Sequence, residues 1–154
     1  MKVALSCDHG GFELKEAIRA HLEERKVEYK DFGTYAADES RDYPYASLYA
    51  CTAYQKGEVD LIILICGTGI GVSMAANKMK GIHAACCSDY FSAKYTRLHN
   101  NANALCLGGR VVGPGLACEL VDVFLGTQFE GGRHARRVGQ IMDIQDGKLT
   151  ESGN

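Results

Sequence analysis

Apolar and polar positions along the chain follow two periods. Short unbroken apolar runs predict buried strands, and apolar residues spaced three and four apart predict amphipathic helices. Residues 2–7 (KVALSC) read as a strand, and 12–26 as a helix with Leu14, Ile18, His21 and Leu22 on one face. Residues 27–32 form a weaker strand and 33–42 a polar loop. Pro44 then stands where it can open a helix in which Ala46, Tyr49, Ala50 and Ala53 share a face. Residues 60–66 (DLIILIC) are apolar without alternation, as a central parallel strand buried on both faces requires. They run into GTGIG and a helix ending near Lys78. Residues 82–87 predict a strand, 88–98 a helix and 102–107 a fifth strand. Residues 114–125 predict a helix with Ala117, Leu120, Val121 and Phe124 on one face, stopped by Gly126. A last amphipathic stretch over 131–145 carries Val138, Ile141 and Met142, and is a C-terminal helix suited to an interface.

Strand–helix alternation repeated five times predicts a doubly wound α/β fold. The expected sheet is parallel and five-stranded, in the order 2-1-3-4-5, with a helical tail. No repeat, low-complexity tract or linker interrupts it, so 1–154 reads as one domain. Ligands of such sheets bind beyond the carboxyl ends of the strands, where the strand order switches. Two polar turns fall there: Asp8-His9-Gly10-Gly11 after the first strand, and residues 67–71 after the third.

Composition narrows the function classes. Of 154 residues, 46% are apolar and 23% charged, an ordinary globular balance. A net charge of −2 removes the electrostatic case for nucleic-acid binding. The apolar stretch near the start, about five residues, falls short of a leader or a membrane span. Seven cysteines, an odd number without a CxxC pair, argue for a reducing, cytoplasmic setting over a disulfide framework or zinc ribbon.

Cys66-Gly67-Thr68-Gly69-Ile70-Gly71 is the most informative segment. Alternating glycines let backbone N–H groups turn inward and hold an anion at a helix start. No Gly-Lys-Ser/Thr follows, and the third glycine of a dinucleotide fingerprint would fall at Val72. A smaller anion fits better, either a phosphate or a developing oxyanion. The same glycines also suit a tight turn that binds nothing. Cys66 abuts this loop, where a thiolate can serve as base or nucleophile; a small core residue is the commoner role of a cysteine. Cys86, Cys87 and Cys106 read as strand residues and Cys51 and Cys118 as helical ones. Only Cys66 and Cys7 stand at strand ends facing the expected cleft.

Asp8 and His9 can grip hydroxyls or phosphate, and Asp8 can equally cap a helix. His99 can shuttle protons or simply sit in solvent, and Asn100 and Asn101 also suit a turn. Arg133, Arg136 and Arg137 form the one basic cluster. Arg133 and Arg137 are i,i+4 neighbours that a dianion would reconcile, or part of a solvated helix face. Arg110, after the fifth strand, stands at the same sheet edge as Cys66.

CDHGG near the start, LICGTGIG, a helix ending in ANK, RLHNNAN, GGRVVG and GGRHARRV together resemble type B ribose-5-phosphate isomerases, in order and nearly in spacing. The wider family includes allose-6-phosphate and galactose-6-phosphate isomerases. The resemblance implies a Rossmann-like domain that interconverts ribose 5-phosphate and ribulose 5-phosphate with no metal or other cofactor. By the same resemblance, Cys66 is the base that moves a proton between C2 and C1. Thr68 and the amides of Gly67, Gly69, Ile70 and Gly71 steady the enediolate, and His99 opens the sugar ring. Asp8, His9 and Asn100 hold hydroxyls or phosphate, with Arg110, Arg133 and Arg137 on the phosphate. Some relatives use an acidic base slightly further along. Ile70-Gly71-Val72 holds no acid, which favours Cys66.

His99 precedes the fifth strand and Cys66 ends the third, so the two belong to opposite sheet edges, roughly 20 Å apart. The expected working form is therefore a homodimer, or a dimer of dimers, whose sites are shared between subunits. A nucleotide- or phosphate-binding regulatory module is the alternative of a different class. The missing dinucleotide fingerprint counts against it.

Overall fold

The structure is a computed structural model and describes residues 1–149 and 151. Its strands are β1 (Lys2–Cys7), β2 (Glu28–Asp31), β3 (Leu61–Cys66), β4 (Ala84–Cys86) and β5 (Ala104–Gly108). The helices are α1 (Phe12–Glu24), α2 (Tyr43–Gln55), α3 (Ile70–Ala76), α4 (Tyr90–Asn100), α5 (Pro114–Gly126) and α6 (Arg133–Gln145). One turn of 3-10 helix, His9–Gly11, joins β1 to α1. No helix of the described residues is long and apolar enough to cross a membrane.

All five strands are parallel, as expected, but their order is β2-β1-β3-β5-β4. The expected order 2-1-3-4-5 had the last two strands exchanged. Burial explains the difference. Every residue of β5 (ALCLG) is buried, whereas β4 has only three residues, two half-buried and one exposed. A strand shielded on both faces belongs inside the sheet, and a short, partly wet one belongs at its edge. Asn77 finishes that edge. Its side-chain amide donates to the Ala84 carbonyl and accepts from the Ala84 N–H, both at 2.9 Å, imitating a neighbouring strand.

β3 is buried along its whole length and divides its side chains between two apolar layers. Leu61, Ile63 and Ile65 meet α1 and α5 through Leu14, Ile18, Leu120, Val121 and Phe124. Ile62, Leu64 and Cys66 meet α2 and α3 through Ala50, Cys51, Val72 and Ala76. The strand's period of two therefore aims Cys66 towards the α2–α3 side. Two residues depart from the simple amphipathic reading of α1. His21 is half-buried and hydrogen-bonds Asp122 of α5 at 2.9 Å. Lys15 is buried, 2.7 Å from Asp31 and 2.8 Å from the Thr34 carbonyl.

Strand register sets the site. Cys7 pairs with Ile65 and Cys66 with Gly108, so the turns after β1, β3 and β5 leave the sheet side by side. The exchange of β4 and β5 matters here: it places the turn carrying Arg110 directly beside the Cys66 loop.

Candidate active site

At the carboxyl edge, backbone groups of three turns hold one another. The Gly109 N–H donates to the Cys66 carbonyl at 2.8 Å and the Arg110 N–H to the Gly67 carbonyl at 3.0 Å. There is no room for side chains between them. A Cβ on Gly69, whose φ is +79°, would lie 2.8 Å from the Leu107 backbone, and one on Gly109 would lie 2.8 Å from the Gly10 carbonyl oxygen. Cys66 is buried, and its Sγ accepts the Gly69 N–H at 3.1 Å. Thr68 is exposed; its Oγ1 accepts the Ile70 N–H at 3.3 Å, which leaves its own hydroxyl hydrogen free. Thus the amides of Gly69 and Ile70 are engaged within the loop, and the hydroxyl is the outward donor.

Asp8 is buried and accepts the Gly11 N–H at 3.0 Å, so its capping role is realised. His9 and Arg110 line a cavity of about 350 Å³ with Gly10, Glu13 and Gly109. The Arg110 guanidinium lies 3.5 Å from where a Gly67 Cβ would stand. Cys66, Thr68, Asp8, His9 and Arg110 therefore form one cluster.

The other cysteines separate from Cys66 by environment. Cys7 is fully buried and does not face the cleft, and burial pushes its thiol up to about 12. Burial likewise raises Cys51 to about 12 and Cys87 to about 11. Cys86 ends β4, is exposed, and lies 3.6 Å from the Thr68 carbonyl. Sequence reading placed it mid-strand and missed it, because the strand stops one residue earlier than its apolar run. Tyr43 was missed too. Its ring stands 2.9 Å from where a Gly71 Cβ would be, closing the α2 side of the loop.

The amino edge carries a second cluster. His99 lies in the last turn of α4, and its ring stacks on His134 of α6, with centroids 4.0 Å apart and planes at 5°. Tyr95 meets it edge-on at 4.8 Å. The Glu130 carboxylate lies 3.5 Å from His99 Nε2 and 3.9 Å from His134 Nε2. Arg133 Nε donates to His134 Nε2 at 3.4 Å. His134 is buried, and burial, with His99 and Arg133 beside it, holds its pKa below the usual imidazole value. Arg137, one turn further along α6, is exposed. Asn100 turns to a neighbouring apolar cavity of about 370 Å³, bounded by Ile82, His83, Ile141 and Met142.

The sequence shows no metal-ligand spacing, yet His99, Glu130 and His134 bring three donor atoms within 4.8 Å of one another. They fit a metal poorly. Two parallel rings 4.0 Å apart cannot both aim in-plane lone pairs at one ion, and Arg133 already occupies His134 Nε2. The two clusters lie at opposite ends of β5, about 17 Å apart along the strand direction. Arg133 and Arg137 belong with His99, and Arg110 with Cys66.

The model of the Ribose/Galactose Isomerase family matches residues 3–141. The chain belongs to that family. It is 51% identical to ribose-5-phosphate isomerase B of Escherichia coli (strain K12), over 94% of this chain and 96% of that one. Among solved structures, the ribose-5-phosphate isomerase B of Clostridium thermocellum superposes with a TM-score of 0.93 at 48% identity, covering 97% of this chain and all of that one. The Mycoplasma genitalium ribose-5-phosphate isomerase B, solved with bound ribulose-5-phosphate, superposes with a TM-score of 0.88 at 40% identity, covering 94% and 96%. The sugar-phosphate isomerase family thus agrees in sequence and in fold.

Proposed function

We propose that this isomerase interconverts ribose 5-phosphate and ribulose 5-phosphate, with residues 1–154 working as one unit. The observation that carries the reading is the convergence of Cys66, Thr68 and Arg110 at the β1–β3–β5 edge of a chain in this family. The reaction needs a base for a proton next to a carbonyl, donors for the enediolate and a fixed hold on the phosphate.

Ring opening comes first. His99 gives a proton to the ring oxygen as the bond to C1 breaks, and the C1 hydroxyl loses its proton to solvent, leaving the aldehyde. The Cys66 thiolate then takes the C2 proton. That bonding pair forms the C1–C2 double bond, and the carbonyl pair moves onto O1. Thr68 and the loop amides of Gly67, Gly69, Ile70 and Gly71 face the enediolate, those of Gly69 and Ile70 after release from their internal partners. A proton passes from O2 to O1, the thiol returns its proton to C1, and C2 becomes the ketone. Asp8, His9 and Asn100 hold hydroxyls, and Arg110, Arg133 and Arg137 hold the phosphate.

A single subunit keeps His99 and Arg133 a sheet's length from its own Cys66. The working form is therefore a two-fold homodimer, alone or paired into a tetramer, in which the partner subunit's His99 completes each site. Cys66 must stay reduced, which fits a cytoplasmic enzyme.

Turnover of ribose 5-phosphate, allose 6-phosphate and galactose 6-phosphate by the wild type tests the substrate. Ribose 5-phosphate is expected to give the highest kcat/KM, and a higher value for either six-carbon sugar would reassign it. Cys66→Ala is expected to lower kcat by about a thousandfold. Full turnover in that variant removes the proposed base, and nucleotide binding without sugar-phosphate turnover would favour a regulatory module.

A further inference from the structure

His99 is held by three groups, and only two of them are rings. The His134 face, 4.0 Å away, sets the ring plane, and the Tyr95 contact limits its tilt. Neither decides which nitrogen points where, because an imidazole flipped about its long axis keeps both contacts. The Glu130 carboxylate removes that ambiguity. Its oxygen lies 3.5 Å from Nε2, and a carboxylate faces an N–H in preference to a lone pair.

Glu130 is itself registered on α4. Its backbone N–H donates to the Leu98 carbonyl at 3.0 Å, tying the loop before α6 to the helix turn that carries His99. The carboxylate is half-exposed and close to one competing ring nitrogen, that of His134 at 3.9 Å. That nitrogen accepts from Arg133 Nε, so it has no hydrogen to give Glu130, whereas His99 Nε2 is free to present one. The carboxylate therefore belongs to His99.

We propose that Glu130 is a positioning residue for His99: it holds one hydrogen on Nε2, so that a second proton, taken up from solvent by Nδ1, is the one delivered to the ring oxygen as the sugar opens. Glu130 touches neither sugar nor phosphate and works only through the imidazole. The inference rests on the ring-opening role assigned to His99 above. A second use of the same carboxylate, as an anion that phosphate must displace from the His99–His134 pair, makes the opposite prediction.

The test is Glu130→Gln, which keeps the shape and removes the charge, with Glu130→Asp beside it. For Glu130→Gln, kcat on ribose 5-phosphate is expected to fall about 10- to 50-fold, with KM within about twofold of wild type. Deuterium uptake at C1 of ribulose 5-phosphate in D2O, followed by NMR, is expected to remain within about twofold of wild type. That exchange needs Cys66 and an open-chain sugar but no ring opening. Glu130→Asp is expected to regain at least about a third of the lost kcat, because the charge returns on a shorter stem. An unchanged kcat in Glu130→Gln, or a lower KM at unchanged kcat, overturns the assignment while leaving the isomerase reading intact. Equal loss of turnover and exchange also overturns it, since the variant would then have damaged the enolisation half. A wild type that neither turns over ribose 5-phosphate nor exchanges the C1 hydrogen overturns the isomerase reading, and this one with it.

Discussion

The two edges of the sheet are built by different means. At the carboxyl edge, backbone grips backbone: Gly109 and Arg110 bond to the Cys66 and Gly67 carbonyls, and Gly69 has no space for a Cβ. Cys66 is held by peptide groups that have few alternatives. At the amino edge, side chains grip side chains. His99, Tyr95, Glu130, His134 and Arg133 meet through rings and charges at the junction of α4 and α6. The first arrangement suits carbon chemistry, in which a misplaced base loses its proton target. The second would suit the proposed role of His99 in a partner subunit's site, because side-chain contacts can adjust to a neighbouring surface.

The largest expected effect comes from separating the two halves. Cys66→Ala and His99→Ala subunits are each expected to be nearly inactive. Mixed in equal amounts and allowed to exchange, they should recover about a quarter of wild-type activity. Half of the dimers are then mixed, and each of those carries one site with both groups intact. No recovery after verified exchange would mean that one chain supplies both groups.

A smaller effect is expected from loosening the backbone-built half. Gly69→Ala places a Cβ 2.8 Å from the Leu107 backbone at a positive φ, so stability should fall by about 1–2 kcal/mol in a denaturant titration. Turnover should fall with it, because the Gly69 N–H touches Cys66 Sγ. The corresponding change at Gly126, whose Cβ direction is open, should be nearly silent.

The smallest effect distinguishes the edges by pH. His134 is held below its ordinary value of 6.5, so the unfolded chain binds more protons than the folded one just below that pH. Stability is fully present above about 6.5 and declines as the pH falls from there through the lowered folded value. Thermal melts across pH 7.5 to 5 should show a modest decline in Tm, attenuated in His134→Gln. An equally steep decline in that variant would place the sensitivity elsewhere.

Much of this was legible before folding. The unbroken apolar run of β3, the Pro-started helices and the glycine loop after Cys66 are local features, and they located the strands and the carboxyl-edge turns to within a few residues. The order of β4 and β5 was not legible, because both are short apolar segments and only their relative burial separates an edge strand from a central one. Cys86 was hidden because β4 stops one residue before its apolar run ends. His134 lay in plain view within GGRHARR, but nothing local says that an exposed-looking histidine will stack on another one 35 residues earlier in the chain. Glu130 was invisible, since its partners come from two helices.

The amino-acid sequence by itself determined the alternation of parallel strands and helices, the position of Cys66 at a strand end, and the glycines without which three turns cannot meet. Periodicity and backbone sterics are properties of neighbouring residues, so they can be read along the chain. Tertiary structure alone decided that β5 lies beside β3 and brings Arg110 to Cys66, and that His99 gathers Glu130, His134 and Arg133 at the far edge. Those choices depend on which surfaces are shielded from water and which side chains meet across elements, and neither is encoded in any single stretch of the chain.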